Sequence, residues 1–280
     1  MNEEQKSTEE TSLFSIDPAY GKSDKSLVAI IGHGTMGKAV ERSFAPHVDR
    51  FLVDPLYNIT IDQLVEREPH LSFVCTPATL TDYADTVDIV LKLIRNTQSA
   101  VILKTTLDIH TMDKLIRTLS GDDAIHRFIY APDLSSEHNT NDDFINPKYV
   151  IIGGMPQSCT QLLEFYHWNT YITLPKMNKE DGGIHTCSPN EAAIIFYGIQ
   201  AYLSTKTMFF SELSEVITGM ANKGVNFPTT ARAIIGDPRI GNTNWFSVDG
   251  VDTSAIEAIV SLHDGSLPLL ETIINSKEEV

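Results

Sequence analysis

Gly32, Gly34 and Gly37 stand at G-x-G-x-x-G spacing after the apolar run Leu27-Val28-Ala29-Ile30-Ile31 and ahead of a helix-forming stretch that reaches Phe44. That order reads as strand, tight turn, helix. The first glycine allows the turn, the second lets a backbone approach a pyrophosphate with no side chain in the way, and the third lets the helix pack closely on the strand. The helix start, with Thr35 and Met36 in its first turn, offers unpaired N–H groups and a partial positive charge to phosphates. The run Phe51-Leu52-Val53 then ends in Asp54, 22 positions after Gly32, where the second strand of a βαβ unit is due to end. A carboxylate there accepts both hydroxyls of an adenosine ribose and repels a 2′-phosphate, so NAD is favoured over NADP.

The elements that must position these groups alternate as a doubly wound, Rossmann-type α/β sheet requires. Helix is predicted over Ile61–Glu68, Asp82–Arg95, Ile109–Leu119 and Gln157–Trp168. Strand is predicted over Leu71–Cys75, Ala100–Leu103, Arg127–Tyr130, Tyr149–Ile152 and Tyr171–Leu174. Ligands gather at the C-terminal strand ends of such a sheet. Thr76 and Pro77, Thr105 and Thr106, and Asp133 and Glu137 fall there. Thr76, Pro77 and Thr106 are expected at the cofactor, with Thr106 also near the reacting water. Asp133 and Glu137 are read either as a general base and its partner or as a capped turn after a strand.

After a predicted loop, Pro175–Cys187, the residues Ser188-Pro189-Asn190-Glu191 have the form of a helix start, with a capping serine, a proline at the first helical position and a glutamate that reaches back. No proline follows until Pro228, and Gly224 offers a stop, so the helix is predicted to run for about 33 residues, or ~50 Å. Its first half, Ala192–Tyr197, is apolar on every side and needs cover all round. A second copy of the chain is the simplest supply, the alternative being the chain's own C-terminal segments, so a homodimer through the helix 188–223 is expected. Thr229–Ile235, Thr253–Leu262 and Leu267–Ile274 read as shorter helices. The division expected is a flexible tail over 1–25, a dinucleotide-binding domain over 26–187 and a helical dimerisation and substrate domain over 188–280.

A length of 280 residues suffices for these cores. The net charge of −16 argues against a nucleic-acid partner, because no basic patch offsets phosphate repulsion. Cys75, Cys159 and Cys187 are widely spaced and odd in number, which fits a reducing compartment, and no CxxC or HxxxH pair suggests a metal. The polar, acidic N-terminus is no secretory signal, and no apolar run approaches membrane-spanning length, so a cytoplasmic protein is expected.

Several blocks together resemble the UDP-glucose/GDP-mannose dehydrogenases. They are the glycine fingerprint, Leu103-Lys104-Thr105-Thr106, Pro132-Asp133-Leu134-Ser135-Ser136-Glu137-His138-Asn139, Asp143-Phe144-Ile145-Asn146-Pro147, Ile151-Ile152-Gly153-Gly154, Gln200–Lys206 and Asp237-Pro238-Arg239-Ile240-Gly241. The resemblance implies a nucleotide-sugar substrate and NAD as hydride acceptor. By the same resemblance Thr106 and Glu137 match the threonine and second glutamate that manage water, Asp133 stands for the first glutamate, and Gln200 for an asparagine that stabilises the alkoxide. Arg239 matches an arginine that reaches a substrate in the neighbouring subunit; the alternative on chemistry alone is an ion pair with Asp237 or another carboxylate.

The departures are as informative. Phe196, four positions before Gln200 and so on its face of the helix, occupies the family lysine's place. Lys206 is ten residues further on and off that face. Ser247–Asp252 replaces the cysteine loop and contains no cysteine. Without a thiolate there is no covalent aldehyde to oxidise a second time, so a single hydride transfer is expected in place of the family's two. The chain also stops where the family continues into a second α/β domain, which implies a smaller substrate or a surface supplied by another chain. A catalytically degenerate NAD-binding or scaffolding protein is the rival reading. A Rossmann dehydrogenase acting on a hydroxy acid or imine is a third. Cys187 reads as structural and His185 as a solvated loop residue.

Overall fold

Apolar runs of four or five residues, covered on both faces, make the middle of a parallel sheet. In the computed structural model such runs form β1 (Leu27–Ile31), β3 (Leu71–Val74) and β4 (Ala100–Leu103), with the shorter β5 (Phe128–Tyr130) beside β4 and the half-buried β2 (Asp49–Val53) at the edge, all parallel. The structure describes residues 27–77, 83–135, 140–176, 183–219, 224–237, 240, 254–261 and 267–276. The helices of the first half are α1 (Thr35–Ser43), α2 (Ile61–Val65), α3 (Ala84–Asn96) and α4 (Ile109–Gly121). Every residue of β3, β4 and β5 is buried. Phe44 at the end of α1 meets the edge of Phe73 on β3 at 5.6 Å between ring centres, and Phe73 stacks on Tyr166 at 6.3 Å. Each such ring contributes on the order of 2–3 kcal/mol by leaving water.

Two more strands complete a seven-stranded sheet of order β2-β1-β3-β4-β5-β6-β7. The short α5 (Thr140–Ile145) precedes β6 (Tyr149–Gly154), which runs antiparallel to β5, and α6 (Pro156–Asn169) then leads to β7 (Gly183–Cys187), parallel to β6. The N-terminal end of β6 therefore lies at the same sheet edge as the C-terminal ends of β1, β3, β4 and β5. The predicted strand Tyr171–Leu174 is not one, and β7 lies in the stretch predicted as loop. Tyr171 N–H donates to the Ser43 carbonyl and Thr173 N–H to the Ile145 carbonyl, both at 2.7 Å, while Ile172 and Leu174 pack on the core. The alternation in 171–174 thus serves to cap the ends of α1 and α5. The polar sequence of β7 concealed a strand that needs only one partner.

α7 (Pro189–Thr218) starts as predicted and ends earlier, at Thr218 rather than at Gly224. Ser188 Oγ accepts from the Glu191 N–H at 3.2 Å and Glu191 Oε2 accepts from the Ser188 N–H at 2.8 Å, a reciprocal cap. Its first turn lies against β6 so closely that a side chain on Gly153 would meet the Ala192 Cβ at 2.7 Å and the Pro189 Cα at 2.8 Å. The chain divides into two compact units, Met1–Ala193 and Ile194–Val280. The second holds the rest of α7 with α8 (Phe227–Ile235), α9 (Ser254–Val260) and α10 (Pro268–Ser276). There Ala201 packs with Ile256 and Ile273, and Phe210 with Ala231 and Ile235. Ser188→Ala removes the cap, and it is expected to lower unfolding free energy in urea by about 1 kcal/mol with an unchanged m-value.

Candidate functional site

The β1–α1 turn is built by backbone contact. Gly32 has φ +87°, and a Cβ there would lie 2.7 Å from the Cys75 carbonyl oxygen at the end of β3. A Cβ on Gly37 would lie 2.0 Å from the Gly32 carbonyl oxygen. Gly34 is the opposite case: a Cβ there meets nothing within 4 Å. Gly34 is also the N-cap of α1, with no side-chain cap and no acidic residue in the first turn. Gly34 and Thr35 are exposed and Met36 is half-buried. The geometry leaves an open, uncapped helix start of the kind that accepts a diphosphate.

Asp54, at the end of β2, is oriented by the backbone. Its Oδ2 accepts from the His33 N–H at 2.7 Å and its Oδ1 from the Leu56 N–H at 2.9 Å. These two bonds hold the carboxyl below its ordinary value of 3.8, the His33 bond contributing most. Because the shift is downward, the stability it carries is complete above 3.8 and is lost as pH falls through the lower folded value. A carboxylate has about four acceptor positions, so two remain open to a ligand. The His33 ring bridges Tyr57 Oη and Glu41 Oε2, each at 2.7 Å, and ties the loop after β2 to α1. Sequence reading missed this clamp because His33, Glu41 and Tyr57 come from three separate segments.

At the ends of β3 and β4, hydroxyls gather. Thr76 Oγ1 lies 2.9 Å from Thr86 Oγ1 on α3 and 3.4 Å from Thr105 Oγ1, and Thr105 Oγ1 donates to the Thr76 carbonyl at 2.7 Å. Thr86 was not anticipated; only the sheet and its following helix bring it to Thr76. Thr106 is half-buried beside this group and Pro77 is exposed. Next along the edge, Asp133 accepts from the Ser135 N–H at 3.0 Å and the Ser135 hydroxyl at 2.7 Å, the bonding of a capped turn, and stays half-buried. Lys104, between these groups, is buried at 8% exposure.

Other predicted residues fall elsewhere. Gln200 belongs to the second unit and is half-buried on α7. Phe196 pairs edge-on with Tyr197 at 5.4 Å. Lys206 Nζ donates to the Ile240 carbonyl at 2.9 Å. Glu137 and Arg239 lie outside the described residues. His185 is on β7 against the Tyr149 ring at 4.9 Å, not in a loop. Burial pushes the Cys187 thiol up to about 11, the wrong direction for a nucleophile.

Gly37 and Gly34 lead to opposite expectations. Gly37→Ala forces the turn apart and is expected to cost about 3 kcal/mol of stability. Gly34→Ala costs under about 1 kcal/mol, the loss of a tolerable N-cap. The folded Gly34→Ala protein nevertheless loses dinucleotide affinity at least tenfold, measured by fluorescence titration with NADH; unchanged affinity would remove the turn from the binding site.

No protein-family profile and no curated protein sequence matches the chain. Solved structures do. A UDP-glucose dehydrogenase from the hyperthermophilic archaeon Pyrobaculum islandicum superposes with a TM-score of 0.64 at 16% identity, over 92% of this chain and 69% of that one. A UDP-D-ManNAc dehydrogenase from Pyrococcus horikoshii gives 0.66 at 14% identity, over 88% and 67%. The 3-hydroxyisobutyrate dehydrogenase of Mycobacterium tuberculosis gives 0.63 at 12% identity, over 90% of this chain and 92% of that one. The glycine turn, the mostly parallel sheet and the long helix thus have the UDP-glucose/GDP-mannose dehydrogenase-like, Rossmann-type fold.

Proposed function

We propose that this protein is an NAD-dependent oxidoreductase resembling a truncated nucleotide-sugar dehydrogenase, and that it carries out one hydride transfer between an alcohol carbon and the nicotinamide. The observation that carries the reading is the pairing of an open, uncapped helix start at Gly34 with the Asp54 carboxylate fixed by backbone N–H groups at the next strand end. Gly32, Gly34, Thr35, Met36 and Gly37 cradle the diphosphate and Asp54 takes the adenosine ribose. Thr76, Pro77 and Thr106 line the nicotinamide end. When bound, the cofactor supplies the hydride acceptor. Asp133 and Glu137 take the hydroxyl proton directly or through a held water, which leaves a carbonyl product. By the family resemblance alone, Gln200 is assigned to the substrate oxygen and Arg239 to a phosphate or sugar hydroxyls held bidentately. The UDP-sugar enzymes among the structural neighbours support a nucleotide sugar as the alcohol.

A second reading, a degenerate dinucleotide-binding or scaffolding protein, draws on Phe196, whose ring sits in an aromatic pair where the resembling family carries a lysine. Absorbance of NADH during incubation with NAD and a panel of UDP- and GDP-sugars separates the two. Turnover that falls at least tenfold in Gln200→Ala is the result expected of the enzyme. Calorimetric binding of NAD with no turnover on any sugar is the result that overturns it in favour of the scaffold.

A homodimer through the helix 188–223 and a cytoplasmic setting belong to the same proposal. Among the described residues, Tyr202, Phe209 and Val216 on α7 recur every seven positions and are 61%, 54% and 61% exposed. Apolar residues at heptad spacing form a seam for another helix. Phe209→Glu is expected to convert a dimer to a monomer in sedimentation velocity; a wild-type monomer at micromolar concentration refutes the seam.

A further inference from the structure

Beneath the turn that follows β5 lies a cavity of about 290 Å³ within the first unit. Lys104, Asp133, Phe144, Tyr149, Tyr166 and Leu174 are among its walls, and no residue of the glycine turn is. Lys104 extends β4 on the face that carries Ala100 and Ile102, so its chain enters the core on the α5 side. Its ammonium sits 5.1 Å from the centre of the Phe144 ring. Among the described residues it has no hydrogen-bond or ion-pair partner, although it is more than nine-tenths buried. A cation–π contact offsets only part of the cost of burying an ammonium, which calls for an anion. Desolvation lowers the Lys104 pKa and the Asp133 charge opposes that shift.

We propose that this cavity is a binding site for a small monocarboxylate, its acid group on the Lys104 ammonium and its carbon body against Phe144, Tyr166 and Leu174. Size and charge select the class. At about 290 Å³ the space takes a small acid whole, whereas a nucleotide sugar, with its base, two sugars and diphosphate, would have to extend outside it. Apart from Lys104 the wall carries Asp133 and Asp143 against Lys148, a net negative charge that disfavours a phosphate dianion. A single carboxylate on an apolar stem matches the one buried ammonium of the lining, Lys104, beside Phe144, Tyr166 and Leu174. Since Asp133 also belongs to the proposed hydride-transfer site, the inference rests on that reading for any chemistry, though not for binding.

Calorimetric titration of the full chain with butyrate, 3-hydroxybutyrate and benzoate, each against its primary amide, tests the site. The acids are expected to bind at least tenfold more tightly than their amides. Lys104→Met should abolish the difference while keeping or raising the Tm, because it removes a buried charge and retains the stem. No acid binding, equal binding of acid and amide, or unchanged acid affinity in Lys104→Met overturns the proposal. An assay with NAD and 3-hydroxybutyrate separates it from the dehydrogenase reading. Acid binding with NADH formed identifies the acid as a substrate. Acid binding that needs Lys104, with no NADH formed from any alcohol, upholds the cavity and counts against the enzyme.

Discussion

The first unit depends on the approach of two backbone segments to one another at the β1–α1 turn. The Gly32 carbonyl stands where a Cβ on residue 37 would be, and residue 32 itself is pressed against the end of β3. No side chain can mediate a contact of that kind, so the start of α1 is brought onto the sheet with its N–H groups facing outward. From this follow the position of α1 over β1, the contact of Phe44 with Phe73, and the opening in front of Gly34. An atom added at 37 disturbs all of these together, whereas one added at 34 points into free space.

Around that turn the sheet edge collects polar groups that differ in how they are satisfied. Asp54 is bonded by backbone N–H groups and the three threonines bond one another. Asp133 is held by its own loop. These groups are therefore oriented before anything binds, which reduces the ordering a ligand must impose. Lys104 is the exception: it is buried with the Phe144 ring against its ammonium and the Asp133 charge nearby, and among the described residues nothing accepts a hydrogen bond from it. A satisfied polar edge beside an unsatisfied cation is an asymmetry that packing alone does not require.

The reversal at β6 shapes what lies beyond. Because β6 runs against β5, the loop and short α5 between them stay at one sheet edge, and the cavity opens under them. The Gly153-Gly154 pair at the far end of β6 then lets the first turn of α7 and the Cys159 side chain close in from opposite faces.

By itself the sequence determined the glycine turn, Asp54, the first five strands, the helices between them and the capped start of α7. All of these are local: an apolar run, a cap, or a glycine whose need arises within a few residues of its neighbours. It determined neither β7 nor the true role of 171–174, because a polar edge strand and a capping segment are distinguished only by what they lie against. The direction of β6, the His33 bridge, the Thr86 contact and the solitary ammonium of Lys104 were likewise decided by tertiary structure. Each depends on groups distant in sequence meeting in space, and burial, unlike helix or turn formation, is a property of the assembled fold.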